Sequence, residues 1–118
     1  MSEFSFKIQD EGQIVVIMLE GYFNDLAAEQ VEHEVLEILS TGKQRFVLDF
    51  EKSQVINSVG ISILIGIIES VVEDHNGKIN ICNLNEINQT TFDMMGLFQE
   101  AGYEPTREKA IQKFELEA

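Results

Sequence analysis

Phe4, Phe6 and Ile8 alternate with Ser5, Lys7 and Gln9, the period-two pattern of a half-buried strand, and Asp10-Glu11-Gly12 reads as the turn that ends it. A second strand follows from Gln13 to Glu20. Its run Ile14-Val15-Val16-Ile17-Met18-Leu19 is β-branched and continuous, which predicts burial on both faces. The short connection makes the two strands an antiparallel hairpin. Beyond Gly21, Asn24 or Asp25 can cap a helix in which Leu26, Ala27, Val31, Val35, Leu36 and Leu39 recur at helical spacing, while Glu29, Glu32, Glu34 and Glu37 face water. Thr41-Gly42-Lys43 ends that helix.

Phe46-Val47-Leu48-Asp49-Phe50 predicts a third strand, Glu51 to Val55 a loop, and Ile56 to Val72 a strongly apolar helix stopped by Asn76-Gly77. Lys78 to Asn83 predicts a fourth strand and Ile87 to Met95 a third helix closed by Gly96. Arg107 to Phe114 forms a last helix after Pro105, and a short strand around Tyr103 would add a fifth to the sheet. Strands alternating with helices in this way define an α/β domain. The expected sheet is mixed and mostly parallel, with four to five strands, an antiparallel N-terminal hairpin and about four helices.

A chain of 118 residues, 44% hydrophobic and 25% charged, is sized and composed as one globular domain over residues 1–118. Its 21 acidic residues outnumber 8 basic ones, for a formal charge of −13, which opposes direct binding to nucleic acid or to an anionic membrane surface. Met1 to Gln9 lacks the charged and continuously apolar regions of a signal peptide, so the expected location is the cytoplasm. The stretch Ile61 to Ile68 is interrupted by Ser62 and Gly66, and falls far short of the ~20 residues needed to cross a bilayer. The lone Cys82 sits in an apolar strand and is expected to be a buried structural thiol.

No constellation of catalytic residues emerges. His33 falls on a Glu-rich helix face and His75 at a helix end, neither beside a nucleophile. The carboxylates are spread along helix faces, and Gly21, Gly60 and Gly66 form no phosphate-cradling loop. Neither a metal nor a cofactor is expected.

The segment that stands apart is Val55 to Glu69. Asn57 and Ser58 both suit a helix N-terminus, where a side-chain oxygen accepts from free backbone N–H groups. That alone is compatible with a plain cap on a buried helix. Two features point further: Ser58, Gly60, Ser62 and Gly66 are small enough to let another surface approach, and Val59, Ile61, Ile63, Ile65, Ile67 and Ile68 are too many for one core-facing stripe.

At these residues the chain resembles the STAS domain family, named for sulfate transporters and anti-sigma-factor antagonists. The family's strand ending in Gly and then Asp is matched by Gly21-Tyr22-Phe23-Asn24, its Leu-Asp by Leu48-Asp49, and its Asp-Ser-Ser-Gly-Leu by Asn57-Ser58-Val59-Gly60-Ile61. Gly96-Leu97 and Glu108-Lys109-Ala110 fit its later positions. The resemblance covers nearly the whole chain and implies a stand-alone, non-enzymatic bacterial anti-sigma factor antagonist, acting as a monomer or weak dimer.

In that reading Ser58 is phosphorylated by a partner anti-sigma factor kinase and restored by a cognate phosphatase. The docking surface comprises Asn24, Asp25, Asn57, Ser58, Val59, Gly60, Ile61 and Ser62, and Asp49 is the nearest matching carboxylate. Both family aspartates beside the serine are amides here, Asn24 and Asn57, which keeps their capping power and removes two negative charges. The alternatives are a STAS scaffold subunit, or a lipid-transport-complex STAS protein, in which Ser58 is only a cap, and a small-molecule or nucleotide-binding module.

Overall fold

A computed structural model of the protein describes residues 3–117. Strands β1 (Ser5–Glu11), β2 (Ile14–Glu20), β3 (Arg45–Lys52), β4 (Lys78–Cys82) and β5 (Gly102–Glu104) form one sheet in the order β1-β2-β3-β4-β5. β1 and β2 are antiparallel and every other pair is parallel. The hairpin turn differs from the sequence expectation: β1 runs on through Glu11, which pairs with Ile14, and the turn is Gly12-Gln13. Gly12 has φ 73°, and glycine enters that left-handed region without a Cβ clash.

The helices are α1 (Asp25–Leu39), α2 (Ser58–Glu69), α3 (Glu86–Met94) and α4 (Arg107–Leu116). α2 is shorter than its apolar run predicts, because the backbone slips into a π-helical turn over Ser70–Asp74. The amide of Gly77 then closes back onto the Val71 carbonyl at 2.7 Å.

Alternation along each strand divides the core in two. Val15, Ile17, Leu19, Phe46, Leu48, Phe50, Ile79 and Ile81 face α1 and α2, where they meet Ala27, Val31 and Val35 from the first helix and Ile61, Leu64 and Ile67 from the second. Ile14, Val16, Val47 and Cys82 face the opposite way, against Ala110 and Phe114 of α4. Burial of β2 on both faces follows. Two positions assigned to the inner stripe of α1 do not belong to it: Leu26 is 63% and Leu36 44% exposed, because 3.6-residue periodicity centres the stripe on Ala27, Ala28, Val31, Val35 and Leu39.

Candidate functional site at the start of the second helix

The chain leaves β2 and β3 at the same end of the sheet, and their exits are tied together. The Gly21 amide donates to the Lys52 carbonyl at 2.9 Å, Phe23 to Val55 at 2.9 Å, and Asn57 to Phe23 at 3.2 Å. The buried Ser53 hydroxyl donates to the Gly21 carbonyl at 2.7 Å. Helices α1 and α2 therefore begin side by side.

Each begins on an asparagine. Asn24 Oδ1 accepts from the Ala27 amide at 3.0 Å, and Asn57 Oδ1 from the Gly60 amide at 2.7 Å. Either Asn57 or Ser58 could cap by residue type; the structure selects Asn57, leaving Ser58 as the first helical residue, with its side chain exposed. Gly60 explains how tightly the two starts are packed, since a Cβ there would lie 2.6 Å from the Phe23 carbonyl oxygen.

The residues expected to meet a partner separate into two sets. Ser58, Val59, Ser62 and Asp25 are exposed, and Asn24 and Asn57 are half-buried. Gly60 and Ile61 are buried with Leu64, Ile67 and Ile68 on the inner face of α2, where they seat the helix rather than form its exposed surface. Val55, in the preceding loop, is exposed and extends the outer apolar surface.

The first turn of α2 contains no acidic residue, and its unpaired N–H groups carry the positive end of the helix dipole. Asp25 is the acidic residue in the first turn of the adjacent α1. Asp49 lies elsewhere. Strand alternation sends it to the α4 face, where it is 3% exposed. There Oδ1 accepts from the Glu51 amide at 3.0 Å and from Asn83 Nδ2 at 2.8 Å, and Oδ2 faces Arg107 Nη1 at 3.5 Å.

The remaining reactive groups are occupied elsewhere. Cys82 is buried, and that burial, followed by the nearby Asp49 charge, pushes its thiol well above the ordinary range. His33 is exposed beside Glu37, and His75 Nδ1 contacts the Ser70 carbonyl at 2.9 Å. Glu69, Glu73 and Glu100 bring carboxylate oxygens within 4.8 Å of one another, exposed to solvent, and a hydrogen bond with Glu73 raises the Glu100 carboxyl.

One residue of the site escaped sequence reasoning altogether. Gln54, in the loop before Asn57, spends its side-chain amide on β3, on the β4–α3 connection and on α3. A glutamine in a loop carries no pattern that would single it out.

The geometry defines a class: an α/β domain that presents an asparagine-capped helix start, with an exposed serine, at the open ends of its parallel strands. The chain belongs to the STAS domain family, whose profile matches residues 5–110. It is 25% identical over 101 residues to BtrV of Bordetella bronchiseptica, provisionally designated an anti-sigma factor antagonist, covering 86% of each chain. Its fold is similar to that of the anti-sigma factor antagonist SpoIIAA in its unphosphorylated form, with TM-score 0.75 and 21% identity over 94% of this chain and 98% of that one. It is also similar to a serine-to-glutamate variant of RsbS from Moorella thermoacetica, with TM-score 0.79 and 17% identity over 94% of this chain and 95% of the other. Among the described residues, no helix is long and apolar enough to cross a membrane.

Proposed function

We propose that this protein is an anti-sigma factor antagonist that works by partner switching. Unmodified, it docks an anti-sigma factor kinase on Ser58, Val59, Ser62 and the flanking Asn24, Asp25 and Asn57. Phosphorylation of Ser58 releases it, and a phosphatase restores it. The observation that carries this reading is the exposed Ser58 hydroxyl in the first turn of α2, without a hydrogen-bond partner among the described residues, beside exposed Val59. The likeness to BtrV and to SpoIIAA, which is known in both unphosphorylated and phosphorylated forms, supports it.

The physics favours a switch rather than a change of fold. A phosphoryl group adds about −1.5 to −2 charge, which the N–H groups of a helix start accommodate but an apolar surface packed over them does not. Asn57 rather than Ser58 accepts from the Gly60 amide as the cap of α2, which supports a role for the Ser58 hydroxyl other than capping. The two competing acceptors differ in access: Ser53 is completely buried and bonded to Gly21, while Ser62 is exposed and donates to the Ser58 carbonyl at 3.1 Å.

The test is incubation with the partner kinase, isolated by pull-down from the native bacterium, and ATP. Phosphopeptide mapping should place one phosphate on Ser58, and Ser58→Ala should abolish it with the folded spectrum intact. Modification on Ser62, or none in the presence of a kinase shown to bind, would overturn the assignment. Ser58→Glu sharpens it, because a carboxylate near a helix N-terminus stabilises by ~0.3–1 kcal/mol whereas burying it unpaired at an interface costs several. The variant should melt at or slightly above the wild-type temperature and bind the kinase at least ~100-fold more weakly by calorimetry.

A further inference from the structure

We infer that Gln54 is a positioning residue that couples the Ser58 segment to the start of α3, so that a charge placed at Ser58 is registered some thirty residues along the chain. The segment Ser53 to Asn57 is held on one side by the β2 exit, through the bonds of Phe23 and Gly21 already described. On the other side it is held by Gln54. Gln54 Nε2 donates to the Phe50 carbonyl at 3.0 Å and to the Asn83 carbonyl at 2.6 Å. Gln54 Oε1 accepts from the Asn85 amide at 3.0 Å and from Asn88 Nδ2 at 3.3 Å, and Asn88 Nδ2 also reaches the Gln54 carbonyl at 2.7 Å. A glutamine amide offers two donors and two acceptor positions, and here each has a partner. Those partners lie on separate parts of the chain: the end of β3, the turn made by Asn83 in the left-handed region at φ 62°, and the cap and first turn of α3.

This clip lies in the path of any rearrangement at Ser58. An anionic oxygen on that side chain competes with Asn57 Oδ1 for the first-turn N–H groups, the Gly60 amide among them. Only Val55 and Ile56 separate Asn57 from Gln54, so a backbone shift at Asn57 reaches Gln54 through two residues. Ile56 is bridged to Phe23 on the β2 side, while Gln54 holds the same segment to Asn85 and Asn88 on the α3 side.

The coupling is measured on the isolated protein by amide NMR of wild type, Ser58→Glu, Gln54→Leu and the double variant. Ser58→Glu should shift the backbone amide of Asn85 and the side-chain amides of Gln54 and Asn88. In the Gln54→Leu background the shifts at Asn85 and Asn88 should disappear, while those at Val59 and Ile61 persist. A charge acting directly through space would shift Asn85 equally in both backgrounds, and that result overturns the inference, as does absence of any shift at Asn85 in the Ser58→Glu single variant. Should Gln54→Leu fail to fold, hydrogen exchange at Asn85 decides: Ser58→Glu should change its rate severalfold while Phe92, inside α3, keeps the wild-type rate, and an unchanged Asn85 rate overturns the coupling. The inference takes its biological sense from the proposed switch at Ser58, yet its test needs no partner. A failure of kinase release and a failure of coupling are therefore told apart.

Discussion

Helices α1 and α2 start from the same place in the same way, on asparagine caps joined through Phe23 and Ile56, and then diverge. α1 is an ordinary amphipathic helix whose outer surface carries Glu29, His33 and Glu37. α2 has no charged residue from Ser58 through Ile68, although much of its circumference lies outside the core. The fold requires only the inner residues Gly60, Ile61, Leu64, Ile67 and Ile68 to be apolar or small. Stability therefore does not account for Val59 or for the absence of charge on the outer first turns. A charge-free outer surface of Ser58, Val59 and Ser62, beside a helix whose outer surface is charged, is what the proposed docking face requires.

The largest expected effect separates inner from outer positions. Leu64→Ala, at a fully buried site in α2, should lower the unfolding free energy by ~2–5 kcal/mol in urea titration, whereas Leu36→Ala on α1 should stay within about 0.5 kcal/mol. Equal costs at the two sites would erase the distinction between inner and outer faces.

The two glycines of α2 sharpen the contrast within one helix. Gly60→Ala forces a Cβ against the Phe23 carbonyl and should cost ~1–3 kcal/mol. Gly66→Ala meets nothing within 4 Å and should stabilise by ~0.5–1 kcal/mol through helix propensity. Opposite signs in thermal melts are the required outcome; a stabilising Gly60→Ala would mean the two helix starts are not in contact.

Smaller effects follow at the caps. Asn57→Ala should cost about 1 kcal/mol, and Asn57→Asp should match or exceed wild type because a carboxylate suits a helix N-terminus. The comparison by melting temperature also asks whether the amide is there for the fold; an Asn57→Asp variant as stable as wild type places the reason for the amide at the surface rather than in the helix.

The smallest change in stability should accompany the largest change in recognition. Val59→Lys and Leu36→Lys should each alter unfolding by about 0.5 kcal/mol or less. Only Val59→Lys should weaken binding of the proposed kinase partner by calorimetry, and equal binding by both variants would remove the outer face of α2 from the proposed docking surface.

Local pattern alone determined most of the architecture. Period-two alternation placed the N-terminal hairpin, the continuous apolar run in β2 marked burial on both faces, and Asn, Gly and Pro punctuated the helices, because these signals act between residues a few positions apart. The same locality placed Asn57 and Ser58 at a helix start. It could not choose between them as the cap, since both side chains can accept from the same N–H groups and only the path set by the Phe23 bridge decides. Tertiary packing alone turned Gly60 and Ile61 inward and left Leu26 and Leu36 outside, because helical spacing fixes which residues share a face but not where the neighbouring layer ends. It also carried Asp49 to the α4 side, where Arg107 and Asn83 meet it. Gln54 was beyond the reach of sequence for the same physical reason: its partners Asn83, Asn85 and Asn88 lie about thirty positions away, and only the parallel pairing of β3 with β4 brings them within hydrogen-bonding distance.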